Sequence, residues 1–379
     1  MDIEILYNGT VCEGINKRFG FFSWPTIAKL NDGTLAVVCS GYRMHHICPF
    51  GKVVICYSKD EGKTWTYPAP IMDTPLDDRD SGICIFGDKV IVTSFNTDID
   101  YDAKWIKVDE VSGWQFDWLK ENLSLEHMDF IEEYLKLIPK EEEERYLGSS
   151  YLISEDGGYH FGKRHMIDIT APHGPIVLNN GELLYVGQDY WGNESSTSSN
   201  KAHGRNEIKA MKSCDGINWS EPVNIELPVK TDIKAFTEPH AAQLKTGRIV
   251  VQLRANSDAG MSIWQCYSDD NAKSFTKPYP LGINGGPPHL ICDSDGDLIS
   301  SYGDRRKPFS QKVMISGDGG ESWESFTLRS DSPVIDMGYP ATVELEKGKY
   351  MTVYYQRKEK DAPASILYTV WRKVDKRRD

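Results

Sequence analysis

In 379 residues, 56 acidic side chains outnumber 43 basic ones, for a formal net charge of −13. That balance excludes nucleic acid and anionic membrane as non-specific partners, and no apolar run reaches the roughly 18 residues of a membrane span. The length fits one large repeat domain or two ordinary ones, and 10 Trp with 19 Tyr can supply a large buried aromatic area.

The first predicted element is the strand-like run Ile3–Val11. Its flank, Met1-Asp-Ile-Glu, lacks the basic region and apolar core of a signal peptide. The eight Cys include no CxxC and fall mostly in strand-like runs, so reduced, buried thiols and a cytoplasmic location are expected.

A strand–turn–strand unit follows, in which Ser23-Trp24-Pro25 leads through Gly33 to an apolar run ending at Arg43. A third run, Lys52–Tyr57, enters the turn Ser58-Lys-Asp60-Glu-Gly62-Lys-Thr-Trp65, of the form S-x-D-x-G-x-x-W. There the Asp can accept backbone N–H bonds, the Gly can take a positive φ, and the Trp can pack back over the strands.

Both patterns recur. Arg79-Asp80 leads through Gly87 to Val90–Phe95, and His173 through Gly181 to Leu183–Gln188. Glu238-Pro239-His240 leads through Gly247 to Ile249–Arg254, and Pro288-His289 through Gly296 to Leu298–Arg305. Tyr339-Pro340 leads through Gly348 to Tyr350–Arg357. The turn recurs from Ser154 to Phe161, from Ser268 to Phe275 with Ala272 for Gly, and from Ser316 to Trp323. A version one residue short runs from Ser213 to Trp219. Six such units predict an all-β, six-bladed β-propeller spanning 1–379 as one domain, with Ile3–Val11 and Ser365–Val374 meeting in one blade to close the ring.

One stretch breaks the alternation. Between about 100 and 147, Leu119, Leu123, Leu125, Met128, Ile131, Leu135 and Ile138 recur mostly three or four apart, which predicts one or two helices inserted in the second blade. The insertion would serve as a lid, as a contact for a homo-oligomer, or as an excursion packed on the rim. Gly192–Gly204, rich in Ser and Asn, is expected to be a mobile loop bordering a pocket.

In this topology, first-strand starts and second-strand ends share one edge of each blade. That edge collects Arg79, Asp80, His173, Glu238, His240, His289 and Tyr339, with Arg43, Asp189, Arg254, Asp304, Arg305 and Arg357. His45 and His46 follow Arg43. Arginines on rigid strand ends suit bidentate recognition of a carboxylate. The histidines could converge on a central funnel, although no pair has metal-ligand spacing on one element. No metal or cofactor is expected.

The repeated turn resembles the Asp-box of the sialidase superfamily. That resemblance implies a Tyr nucleophile activated by a Glu from another blade, matched by Tyr339 and Glu238. It also implies three arginines around a substrate carboxylate. Arg254 and Arg305 (or Arg306) match two of them, whereas Ser23 stands where the first is expected. The family's acid–base Asp would fall between Arg43 and Ser58, where there is no Asp; His46, or Asp80 from the next blade, is left for that role. The implied activity is hydrolysis of a terminal acidic sugar, with Arg43, Arg79, His45, His173, His240 and His289 as further substrate contacts. A lyase or His-dependent glycosidase acting on uronic acid glycans, and a non-catalytic glycan-binding propeller, are the competing readings.

Overall fold

The computed structural model describes residues 1–14, 18–106, 125–189, 207–229 and 231–374. An opening strand, β1 (Asp2–Cys12), precedes the first four-stranded sheet: β2 (Phe21–Lys29), β3 (Leu35–Arg43), β4 (Lys52–Ser58) and β5 (Ala69–Met72). The second sheet is β6 (Arg79–Phe86), β7 (Lys89–Phe95), β8 (Ser149–Ser154) and β9 (His165–Ile167). In the third, the inner strand is split into β10 (Ile169–Thr170) and β11 (Ile176–Val177), followed by β12 (Leu183–Asp189), β13 (Ile208–Ser213) and β14 (Val223–Ile225).

The fourth sheet is β15 (Ala235–Gln243), β16 (Ile249–Ser257), β17 (Gly260–Ser268) and β18 (Tyr279–Asn284). The fifth is β19 (His289–Cys292), β20 (Leu298–Asp304), β21 (Ser310–Ser316) and β22 (Glu324–Arg329). The sixth takes β23 (Gly338–Glu346), β24 (Lys349–Arg357) and β25 (Ala364–Val374), and its fourth strand is β1, paired antiparallel to β25 from Asp2↔Val374 to Cys12↔Ile366. The six-bladed propeller is therefore closed by both ends of the described chain.

Each seam between blades has its own apolar filling, since both faces of every sheet are covered. Phe21, Val37, Tyr355 and Val370 fill the seam between the sixth and first blades. Val38, Ile55, Ile83 and Val92 fill the next, and comparable sets occupy the other four. The inner hairpins turn at glycines with positive φ, among them Gly33 (85°) and Gly181 (85°), which face open space; a left-handed backbone rather than crowding selects glycine there.

The five repeated turns share one hydrogen-bond plan. The first Ser hydroxyl bonds the Asp carboxylate (2.7–3.1 Å) and accepts the N–H at the Gly position, 2.8 Å away at Gly62. The same carboxylate accepts the backbone N–H of Thr64, His160, Asn218, Ser274 or Ser322 at 2.8–3.0 Å. Where Ala272 replaces Gly, its φ is still +61°; the carboxylate cage imposes the conformation even on a residue with a Cβ.

The insertion lies between β7 and β8, as α1 (Ile99–Ile106), α2 (Leu125–Lys136) and α3 (Lys140–Tyr146). Leu119, Leu123 and the rest of 107–124 lie outside the described residues, as does the Gly192–Gly204 loop. The apolar face of α2 is used inside the chain: Ile131 and Leu135 pack on Met44 and Cys48, and Phe50 sits 4.6 Å from Tyr134 and 5.4 Å from Phe130. The insertion thus backs the loop between β3 and β4.

Two outcomes follow. Deleting Asp2–Cys12 should cost several kcal/mol, about 5 °C in Tm for a chain of this size, because β25 loses its partner and the ring gains an open edge; a melt unchanged from the full chain would exclude closure by this pairing. The turn carboxylates are held below the usual range by their bonds, Asp60 to about 2 by Thr64 and Asp318 to about 2 by Ser322. Their folded pKa is depressed, so their stabilisation is complete above an unfolded value of about 3.9 and is lost as pH falls toward 2. Urea midpoints should accordingly drop between pH 4 and pH 2, and less steeply once Asp60 and Asp318 are both replaced by Asn.

Candidate functional site

Four inner strands slip register at the same place. Pairing is interrupted between Ser23 and Thr26, Arg79 and Gly82, Thr237 and His240, and Gly338 and Ala341. Within these slips Trp24, Asp80, Glu238 and Tyr339 adopt φ of 53°, 38°, 50° and 52°. Left-handed backbone is costly for such residues and concentrates at functional sites. The bulge re-aims one side chain per blade, and the four belong together electrostatically or by ring contact.

Tyr339 and Glu238 meet. The phenol donates to Glu238 Oε1 at 2.5 Å, and Arg254 Nη1 lies 2.5 Å from Glu238 Oε2 and 3.3 Å from the phenol oxygen. Burial, then the Glu238 charge, raises the Tyr339 pKa well above that of a free phenol, so the hydroxyl is held neutral. Glu238 is itself held by Gln188, whose Oε1 accepts its backbone N–H at 3.0 Å. Asp80 is buried within electrostatic reach of Glu238 and Arg254, and no described side chain bonds its carboxyl. Burial pushes its pKa up to about 7.

A second constellation lies beside the first. Asp336 Oδ1 accepts from His46 Nδ1 (3.0 Å) and from Tyr355 Oη (2.7 Å). Arg305 donates to Tyr355 Oη (3.3 Å) and to the Met337 carbonyl (3.1 Å). Arg306 turns instead to Asp304, so of the two arginines it is Arg305 that reaches Tyr355. Asp336 and Tyr355 escaped the sequence reading. The position of Asp336, three residues before Tyr339, was the available signal.

Arg43 departs from expectation. It is wholly buried, with Nη1 and Nη2 on the two oxygens of Asp77 (2.7 Å for Nη2), so it is sealed from any ligand. Gly51 makes room for this pair, since a Cβ there would lie 2.1 Å from Arg43 Nη1. Arg79 shares Asp77 at 3.1 Å, and both guanidiniums lie against the Trp24 ring, 4.7 and 4.3 Å from its centroid. Both also donate to the His46 carbonyl, at 2.9 and 3.0 Å.

Ser23 is buried, and Trp24, not Ser23, occupies the bulge position of the first blade. Its ring meets His46 edge-on at 5.0 Å and Tyr339 at 6.3 Å.

The other histidines sit deeper than expected. His173, His240 and His289 cluster with centroids 4.5–5.7 Å apart, all buried. His240 and His289 accept the backbone N–H of Leu290 (2.9 Å) and Thr342 (3.3 Å) on Nδ1, which leaves their Nε2 protonated and without a lone pair for a metal. Among the described residues no group of His, Cys, Asp and Glu has metal-site geometry. His45 is also buried, its Nδ1 accepting from Ile47 N at 3.2 Å.

No protein-family profile and no curated relative matches the chain. Solved structures do. A protein of unknown function from Dyadobacter fermentans aligns at 20% identity over 98% of this chain and 99% of its own, with a TM-score of 0.74. The intramolecular trans-sialidase of Ruminococcus gnavus aligns at 14% identity over 97% of both chains, TM-score 0.65. A Hadza microbial sialidase aligns at 14% over 96% of this chain and 68% of its own, TM-score 0.61. The fold is that of the sialidases. Within that sialidase fold, this chain's bulge positions carry Trp24, Asp80, Glu238 and Tyr339.

Replacing Asp77 by Ala would leave two guanidiniums without their shared buried partner. The expected cost is about 3–5 kcal/mol in chemical denaturation; a loss below about 1 kcal/mol would show that the clamp does not organise this side of the funnel.

Proposed function

We propose that the chain is a glycoside hydrolase that releases a terminal acidic sugar, of the sialic acid or uronic acid type. The observation that carries this reading is the 2.5 Å contact between Tyr339 and Glu238, with Arg254 closing the triangle. Glu238 takes the phenolic proton as Tyr339 attacks the anomeric carbon, and a neutral phenol approaches an anionic sugar without the repulsion a carboxylate would meet. Asp80, protonated near neutrality, gives its proton to the leaving oxygen. Arg254 and Arg305 supply positive charge for the carboxylate of the substrate. The likeness of the fold to those of a microbial sialidase and an intramolecular trans-sialidase supports the same class.

The test is a panel of aryl glycosides and acidic oligosaccharides. Tyr339→Phe should lower kcat by roughly three orders of magnitude while leaving binding of an acidic sugar nearly intact. Asp80→Asn should matter most for poor leaving groups. The wild type should lose activity as pH rises through about 7, where Asp80 gives up its proton, and that limb should vanish in Asp80→Asn. Full activity in Tyr339→Phe, or an ultraviolet-absorbing unsaturated uronide as product, would replace hydrolysis by a different chemistry, elimination in the second case.

A further inference from the structure

His46 is fixed more firmly than a loop residue needs to be. Its carbonyl is bonded by Arg43 and Arg79, its Nδ1 by Asp336, and its ring edge by Trp24. Behind the loop, Met44, Cys48 and Phe50 pack on α2. A carboxylate on Nδ1 selects the tautomer with the proton on that nitrogen and gives Nε2, on the opposite edge, the lone pair. The side chain is 16% exposed, whereas His45 next to it is closed off, so water can reach this imidazole and not its neighbour.

His46 and Asp80 also flank the same residue. Arg79, which precedes Asp80 in sequence, holds the His46 carbonyl, so both proton-handling groups belong to the side of the funnel formed by the first two blades. Tyr339 and Glu238 come from the sixth and fourth. Two such groups on one side permit a division of labour that a single acid–base residue does not.

We propose that His46 is the base of the second half-reaction, with Asp336 as its positioning residue, while Asp80 serves the first half as acid. This rests on the hydrolase reading above. After the leaving group has departed with the Asp80 proton, water enters the space it vacated. The water oxygen bonds to the anomeric carbon and its proton passes to His46 Nε2. The bond from that carbon to Tyr339 Oη breaks, and the phenolate recovers its proton from Glu238. The water proton returns from His46 to solvent, and Asp80 is reprotonated.

The experiment uses the full chain with methylumbelliferyl glycosides of N-acetylneuraminic acid and glucuronic acid, whichever the wild type cleaves. Their activated leaving group makes the first step independent of His46. His46→Ala should release a burst of about one equivalent of fluorophore per protein and then stall, with the glycosyl mass retained on Tyr339 in the intact protein. Azide should restore turnover and yield the glycosyl azide, because an anionic nucleophile needs no base. Asp336→Asn should lengthen the life of the same adduct to a lesser degree, a readout that loss of packing alone would not produce. Should His46→Ala fail to melt cooperatively, His46→Gln, which keeps a donor for Asp336, carries the same expectation.

Wild-type turnover in a folded His46 variant, or loss of burst and turnover together without adduct, overturns the proposal. Failure of the hydrolase reading would look different, since no adduct would form on Tyr339 in any variant.

Discussion

The candidate site of this chain depends on one slip of hydrogen-bond register, made four times. A regular inner strand would point its residues into the seams between blades, where only apolar packing is rewarded. Backbone strain at Trp24, Asp80, Glu238 and Tyr339 instead re-aims one side chain in each of four blades: Trp24 and Tyr339 meet within the seam of the sixth and first blades, and Asp80 comes within electrostatic reach of Glu238. Pro25, Pro239 and Pro340 follow three of the four; a ring that fixes φ narrows the backbone just past the slip.

What surrounds these positions is a division of charge. On the side of the first two blades, Asp77 absorbs Arg43 and Arg79, and their flat cations become part of the packing around Trp24. In the fourth and fifth blades, Arg254 pairs with Glu238 and Arg305 donates to Tyr355. Four neighbouring arginines do not make four anion-binding groups. Which ones can serve a ligand is decided by where the carboxylates of the chain itself are placed.

The architecture was legible because it is repetitive. Gly at the inner hairpins and Ser-x-Asp at the outer turns answer local backbone demands, and local demands leave a mark at a fixed spacing. Glu238 and Tyr339 were legible for the same reason, as they sit in phase with the repeat. Asp77, Asp336 and Tyr355 were not. Each acts on a residue from another strand or blade, and nothing in its own neighbours announces that contact. Arg43 was misread because a strand-end arginine is ordinarily solvated, and only the arrival of Asp77 from the following loop makes it internal. His240 stands two residues beyond Glu238, enough along a strand to move it from the funnel lining to the layer beneath, where its neighbours are backbone amides and other imidazoles.

The sixth blade joins residues about as far apart in the sequence as this chain allows, Asp2 against Val374. During synthesis β1 is made well before β25 and stays without this partner until that strand follows. The seam it helps to close, between the sixth and first blades, is also the seam that sets Tyr339 beside Trp24. The other five sheets are each built from strands consecutive in the sequence. Pairing of β25 between β24 and β1 joins the two ends of the described chain, and a fragment lacking either strand would leave open the seam in which Tyr339 and Trp24 pack.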